Sequence, residues 1–132
     1  MKKANTLILV ILVVLILAVA LLFLSMKSGT DRAVAAQVNT DIDMSQVQDG
    51  VYFGEGDGSI IQAEVKVTVK DHRIVDIELL RHDNGRGSSA EAILEDMIAQ
   101  NTDNVDAVTG ATLSSLTIRN AVNKALQNGL QP

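Results

Sequence analysis

Leu7 to Leu24 is an unbroken apolar run of eighteen residues, LILVILVVLILAVALLFL. As a helix it would be apolar on every side, with no face suited to water. At 1.5 Å per residue it reaches about 27 Å, close to the thickness of a hydrocarbon core. Lys2 and Lys3 precede it and favour a cytoplasmic N-terminus, although Lys27 and Arg32 beyond it weaken that bias. Ala33-Val34-Ala35 has the spacing of a signal-peptidase site. The run is longer than the roughly 7–15 residues of a signal-peptide core, however, and this site lies well past its end. The expectation is therefore an uncleaved anchor over residues 1–26, crossing the cytoplasmic membrane once. The N-terminus would lie inside and the rest of the chain outside the cytoplasm. With no cysteine, a lipidated anchor is excluded.

Charge separates along the chain. From Asp31 onward there are sixteen Asp/Glu against eight Lys/Arg, a net charge of −8. A phosphate backbone needs a basic face, so nucleic acid is not an expected partner. The lack of cysteine also excludes a disulfide framework, a thiol nucleophile and an iron–sulfur site. The two histidines, in DHR and RHD, have no partner at metal-ligand spacing, and no metal site is expected.

Residues 27–48 are polar without a clean period and read as a stalk. The domain is expected over residues 49–132. IIQAEVKVTVK alternates strictly, with Ile61, Ala63, Val65, Val67 and Val69 on one face. That is a half-buried strand. IVDIELL follows, with Val75, Ile77 and Leu79 as its expected apolar side. Facing the two apolar sets requires Val67 opposite Ile77 and Val65 opposite Leu79. A three-residue loop, Asp71 to Arg73, with a type I turn and a bulge satisfies that parity. Ser88-Ser89-Ala90-Glu91 reads as a capping box. Behind it Ala90, Ile93, Leu94, Met97 and Ile98 make a helical stripe to about Gln100. Ile118, Ala121, Val122, Ala125 and Leu126 mark a last helix, with Gly129 as a natural residue just past its end. With a short strand near Val51-Tyr52-Phe53, the fold class is α+β. It is a small antiparallel sheet with two helices on one face, preceded by a single transmembrane helix.

Three segments are candidate sites. GEGDG, Gly54 to Gly58, is either a flexible bend or a backbone approached closely by a ligand. RHDNGRG, Arg81 to Gly87, is either a polar loop or an anion site at a helix start. DAVTGATLSS, Asp106 to Ser115, is either a helix cap through Thr112, Ser114 or Ser115, or an acceptor hydroxyl on Thr112 left accessible by Gly110 and Ala111. A phosphodiester on Thr112 would face the amides and positive pole of the last helix.

DGVYFGEGDG, AEVKVTVKDHRIVDIELLRHDNGRG and DAVTGATLSS together resemble the FMN-binding domain family, over almost all of residues 49–126. That family includes a flavoprotein subunit of the sodium-translocating NADH:quinone reductase and its electron-transport relatives. The last segment is similar to the family's flavinylation motif, Asp-x-x-(Ser/Thr)-Gly-Ala-Thr-x-(Ser/Thr). The resemblance implies FMN joined by a phosphoester to Thr112, moved there from FAD by a separate Mg-dependent flavin transferase. It implies further cofactor contacts from Asp106, Thr109, Gly110, Ala111, Leu113, Ser114 and Ser115, and from His82, Gly85, Arg86 and Gly87 in the earlier loop. The chain departs from the family at the hairpin turn, where His72 replaces the usual glycine. With only Tyr52 and Phe53 as aromatics in the domain, the ring pocket would be mostly aliphatic side chains and glycine backbone, with His82. The implied function is a membrane-anchored, extracytoplasmic electron carrier rather than a self-sufficient enzyme, with quinone-linked donors or other flavoproteins as membrane redox partners. A flavin-dependent sensory or interaction module and a flavin-free surface stalk are the alternatives.

Overall fold

The computed structural model describes residues 2–35, 37, 39–83 and 88–130. The chain divides into two units, residues 1–32 and 33–132. Helix α1 runs Lys2–Ala35. Within it Asn5–Met26 is long and apolar enough to cross a membrane, and none of that stretch is buried in protein. Such a span is that of a membrane helix or of a signal sequence.

The second unit is α+β. Strands β1 (Gly50–Asp57), β2 (Gln62–Lys70) and β3 (Arg73–Asp83) form an antiparallel sheet in the order β1-β2-β3. Helices α2 (Ile93–Gln100) and α3 (Thr112–Asn128) follow, and both pack on the sheet. Alternation in β2 works as expected: Ala63, Val65, Val67 and Val69 are buried. The stripe of α3, Ile118, Ala121, Val122, Ala125 and Leu126, is buried completely against that face. Each such valine or leucine contributes about 1.5–3 kcal/mol through burial.

The hairpin reaches the expected pairing by another route. Val67 faces Ile77 and Val65 faces Leu79. The loop, however, is the two residues Asp71 and His72, because Lys70 pairs with Arg73. Both have positive φ, 53° and 59°, as a type I′ turn requires. A bulge beyond the turn, at Val75, then restores parity. Ile74 is therefore buried, and Val75, expected inside, is exposed.

The first part of GEGDG is strand rather than bend. Gly54 and Gly56 lie in β1 with α3 directly over them. A Cβ on Gly54 would come within 2.7 Å of Ala125 N and closer still to Ala121 O. One on Gly56 would strike the carbonyl of Thr117. The missing side chains form a seat for the helix backbone. On the solvent side of that seat, Lys124 Nζ and Asn128 Nδ2 donate to Glu55 O and Phe53 O, each at 3.0 Å. Outward carbonyls of an edge strand are thereby covered.

Two helix ends differ from expectation. Ser88–Ala92 is a 3-10 turn, and α2 proper starts at Ile93. Gly129 does end α3, but with φ −91° rather than a left-handed conformation. Its reason is space: a Cβ there would lie 2.7 Å from Tyr52 Cε2 and 2.8 Å from Val47 Cγ1.

The inner part of the expected stalk is packed on the domain. Gln37 Nε2 donates to Thr117 Oγ1 at 2.8 Å, and Asn120 Nδ2 donates to Asn39 Oδ1 at 3.0 Å. Asn123 brackets Thr40, accepting from its N–H at 3.1 Å and donating to its carbonyl at 2.7 Å. Val47 is fully buried and bridges to Leu130. Gln37 and residues 39–48 form a strap along α3.

Candidate functional site

The loop before α3 is shaped by a turn and pinned from inside. Ala111 N donates to Val108 O at 3.0 Å, closing a four-residue turn. Gly110 has φ +83°, which an L side chain resists, while the space around it is open. Its glycine thus serves the backbone and not the removal of bulk. Ser115 is completely buried and holds both sides of the turn. Its hydroxyl donates to Ala111 O at 2.8 Å and accepts from Val108 N at 3.0 Å.

No side chain caps α3. Its N-cap is Ala111, and the first intrahelical bond is Ser115 N to Ala111 O at 2.9 Å. Helix geometry leaves the amides of Thr112, Leu113 and Ser114 without intrahelical acceptors. Among the described residues no other acceptor meets them. Thr112 opens the helix with its side chain exposed. Ser114, one residue further inside, is buried, and its hydroxyl has no hydrogen-bond partner. Three donors and a positive helix end lie at an exposed threonine, with an unpartnered hydroxyl two residues on. That donor set fits a phosphate ester.

The other expected residues divide. Asp106, Thr109 and Gly110 are exposed on the loop, Ala111 is buried, and Leu113 is half-buried with its carbonyl accepting from Thr117 Oγ1 at 2.8 Å. His82 lies on the inner side of β3 with Nδ1 3.0 Å from Glu91 Oε1. Gly85, Arg86 and Gly87 lie outside the described residues. Among the described residues, no group of three or more His, Asp or Glu is placed to hold a metal.

A family model for the FMN-binding domain matches residues 56–127. The chain belongs to the FMN-binding domain family. The match runs from inside β1 almost to the end of α3, so it takes in Gly56 of the glycine seat, the hairpin and the Thr112 loop. No curated protein and no solved structure matches the chain.

Two features of this FMN-binding domain escape sequence reasoning. One is the His82–Glu91 pair, since Glu91 reads as a capping-box residue. The other is the polar row Thr117, Asn120 and Asn123 on α3, which carries no apolar period and is nevertheless buried.

Proposed function

We propose that this protein is a membrane-anchored electron carrier whose FMN is joined through its phosphate to Thr112 Oγ1. The phosphoester forms when the threonine hydroxyl displaces AMP from FAD and gives up its proton, on a separate Mg-dependent flavin transferase. The N-terminal helix anchors the chain in the cytoplasmic membrane, with the domain on the extracytoplasmic side. Electrons pass to and from membrane redox partners, a quinone-linked donor or another flavoprotein. When bound, the flavin supplies the one- and two-electron chemistry. The chain's own residues supply the rest: Thr112 offers a hydroxyl an enzyme can reach, and the α3 amides and Ser114 receive phosphate oxygens. Ser115 fixes the loop, and the covalent link holds the cofactor where a free one would diffuse away.

The observation that carries this reading is the uncapped start of α3 in a chain of this family. If the TGAT run existed to cap the helix, a hydroxyl would accept from one of its first amides, and none does.

The test is Thr112→Ala in the full chain, co-expressed with a flavin transferase. Since Thr112 makes no cap, its loss should change stability by less than the roughly 1 kcal/mol of a cap deletion. Fluorescence of the denatured band, and the added mass on the tryptic peptide spanning residues 87–119, should both vanish. Thr112→Ser should keep partial label, and Ser115→Ala should keep some label while loosening the loop. Flavin that survives denaturation on Thr112→Ala would move the attachment elsewhere.

A further inference from the structure

The chain has two histidines, and both engage Nδ1. His72 Nδ1 lies 2.8 Å from Val47 O, at the exposed hairpin turn. His82 is different: its side chain is only 3 % exposed, while that of its partner Glu91 is 44 % exposed. The pair thus leads from solvent to interior. His82 Nε2, on the buried side, has no hydrogen-bond partner. A buried ring nitrogen left unpaired costs free energy and calls for a partner. The Glu91 carboxylate can only accept from Nδ1–H, so in the neutral ring Nε2 carries the lone pair.

Strand pairing places this residue within the sheet. His82 pairs with Ala63, and Ala63 pairs on its other side with Gly56. Thr117 of α3 sits directly over Gly56. The 3-10 turn that carries Glu91 packs against α3 as well. His82 is therefore at the end of the sheet that underlies the first turns of α3, where Thr112 opens the helix and Ser114 has its unpartnered hydroxyl.

We propose that an N–H group which the bound flavin ring gains on reduction is the partner of His82 Nε2, and that Glu91 is a positioning residue that turns the accepting nitrogen toward it. The proposal rests on the FMN reading above. Reduction adds N–H groups to an isoalloxazine ring, so an acceptor held there favours the reduced form and raises the midpoint potential.

The experiment uses the full chain in lipid nanodiscs, loaded by co-expressed transferase, with ¹⁵N-labelled histidine. Thr112→Ala serves as the flavin-free reference. His82 should show a protonated Nδ1 and a bare Nε2, and its Nε2 resonance should move between the flavin-free protein and the loaded protein with its flavin reduced. His72 should stay where it is. His82→Leu should shift the oxidised-to-reduced ratio at fixed potential about tenfold toward oxidised, about 30 mV downward for a two-electron couple. His82→Gln, which retains an acceptor oxygen, should recover part of this. Glu91→Ala should move the potential the same way by less, and Glu91→Gln, still accepting from Nδ1–H, should restore it. An Nε2 resonance indifferent to reduced flavin overturns the proposal, as does an Nε2–H tautomer or an unchanged potential in a loaded His82→Leu protein. The resonance test needs no variant at His82, so a misfolded His82→Leu leaves it decisive. A wild-type band without flavin sinks the attachment reading itself, and this proposal with it.

Discussion

On one side α3 presents Ile118, Ala121, Val122 and Ala125 to the sheet; on the other it presents Thr117, Asn120, Asn123 and Gln127 to Gln37, Asn39 and Thr40. The first side is held by shape. Glycines at 54 and 56 let the backbone of α3 sink onto β1, and the bonds from Lys124 and Asn128 lie only at the rim of that contact. The second is held by hydrogen bonds that must all be made, because Asn120 and Asn123 are buried. An apolar contact tolerates repacking but not overlap. A buried polar contact tolerates neither a missing partner nor an extra charge.

The largest expected effect is on the shape side. Gly54→Ala and Gly56→Ala each drive a Cβ into backbone atoms of α3, which cannot rotate aside as a side chain can. Overpacking usually costs about 1–3 kcal/mol. With both elements rigid at the contact we expect more than about 4 kcal/mol, most of the stability of a domain this size. Gly129→Ala meets only side-chain atoms of Tyr52 and Val47 and should cost clearly less. Urea unfolding of the three variants ranks them. Equal losses, or a stable Gly54→Ala, would show that the seat is not tight.

That asymmetry also decides how much of the fold is legible in one dimension. The apolar side of α3 repeats at the helical period, so its stripe can be read residue by residue, as can the face of β2. The glycines of β1 are visible, but their reason is not, because a close approach involves two segments over sixty residues apart. Threonine and asparagine at 117, 120 and 123 look like a wetted surface until something covers them. What covers them is the segment that composition marks as stalk. In the hairpin, parity identifies the pairs Val67–Ile77 and Val65–Leu79, but parity is met equally by a longer loop or by a bulge. Nothing in the composition of Asp71 and His72 declares that both take positive φ. At the site, the Thr112 motif is legible because its order is specific. The absence of a side-chain cap depends on where the hydroxyls of Ser114 and Ser115 turn, and no one-dimensional pattern carries that.

A smaller effect is expected on the polar side. Asn123→Ala leaves both backbone groups of Thr40 without their partner and takes from the Asp103 carboxylate its shorter bond, leaving that from Asn39 Nδ2 at 3.4 Å. At about 1–3 kcal/mol for an unmet buried group, partly relieved by water entering along the strap, we expect a loss of about 2–3 kcal/mol. Deleting residues 1–48 removes the strap and the fully buried Val47 together, and should cost more than Asn123→Ala alone. A shortened chain that begins at residue 33 keeps both. Thermal melts of these soluble forms compare them directly. A domain beginning at Asp49 that melted with the longer one would mean the strap merely lies on α3.

The smallest effect separates charge from hydrogen bonding within the polar side. Asp103 is 4 % exposed, and its Oδ2 accepts from Asn123 Nδ2 at 2.9 Å. Burial pushes its carboxyl above the ordinary value of 3.8, against the opposing pull of the Asn123 hydrogen bond and the nearby Arg119 guanidinium. The folded state therefore binds this proton more tightly than the unfolded chain does. The stability it contributes is fully present below the ordinary aspartate value and is lost as pH rises through the raised one. Asp103→Asn keeps an oxygen for Asn123 and removes the charge, so the variant gains on the wild type as pH climbs through that window. The measurement is the difference in Tm between the two proteins from about pH 3.5 to pH 7. It should grow with pH in favour of Asp103→Asn, by less than the loss caused by Asn123→Ala. A difference that stays flat would mean that Asp103 is held by its hydrogen bonds alone, with no penalty for its charge. A difference that grows in favour of the wild type would mean that Arg119 outweighs burial.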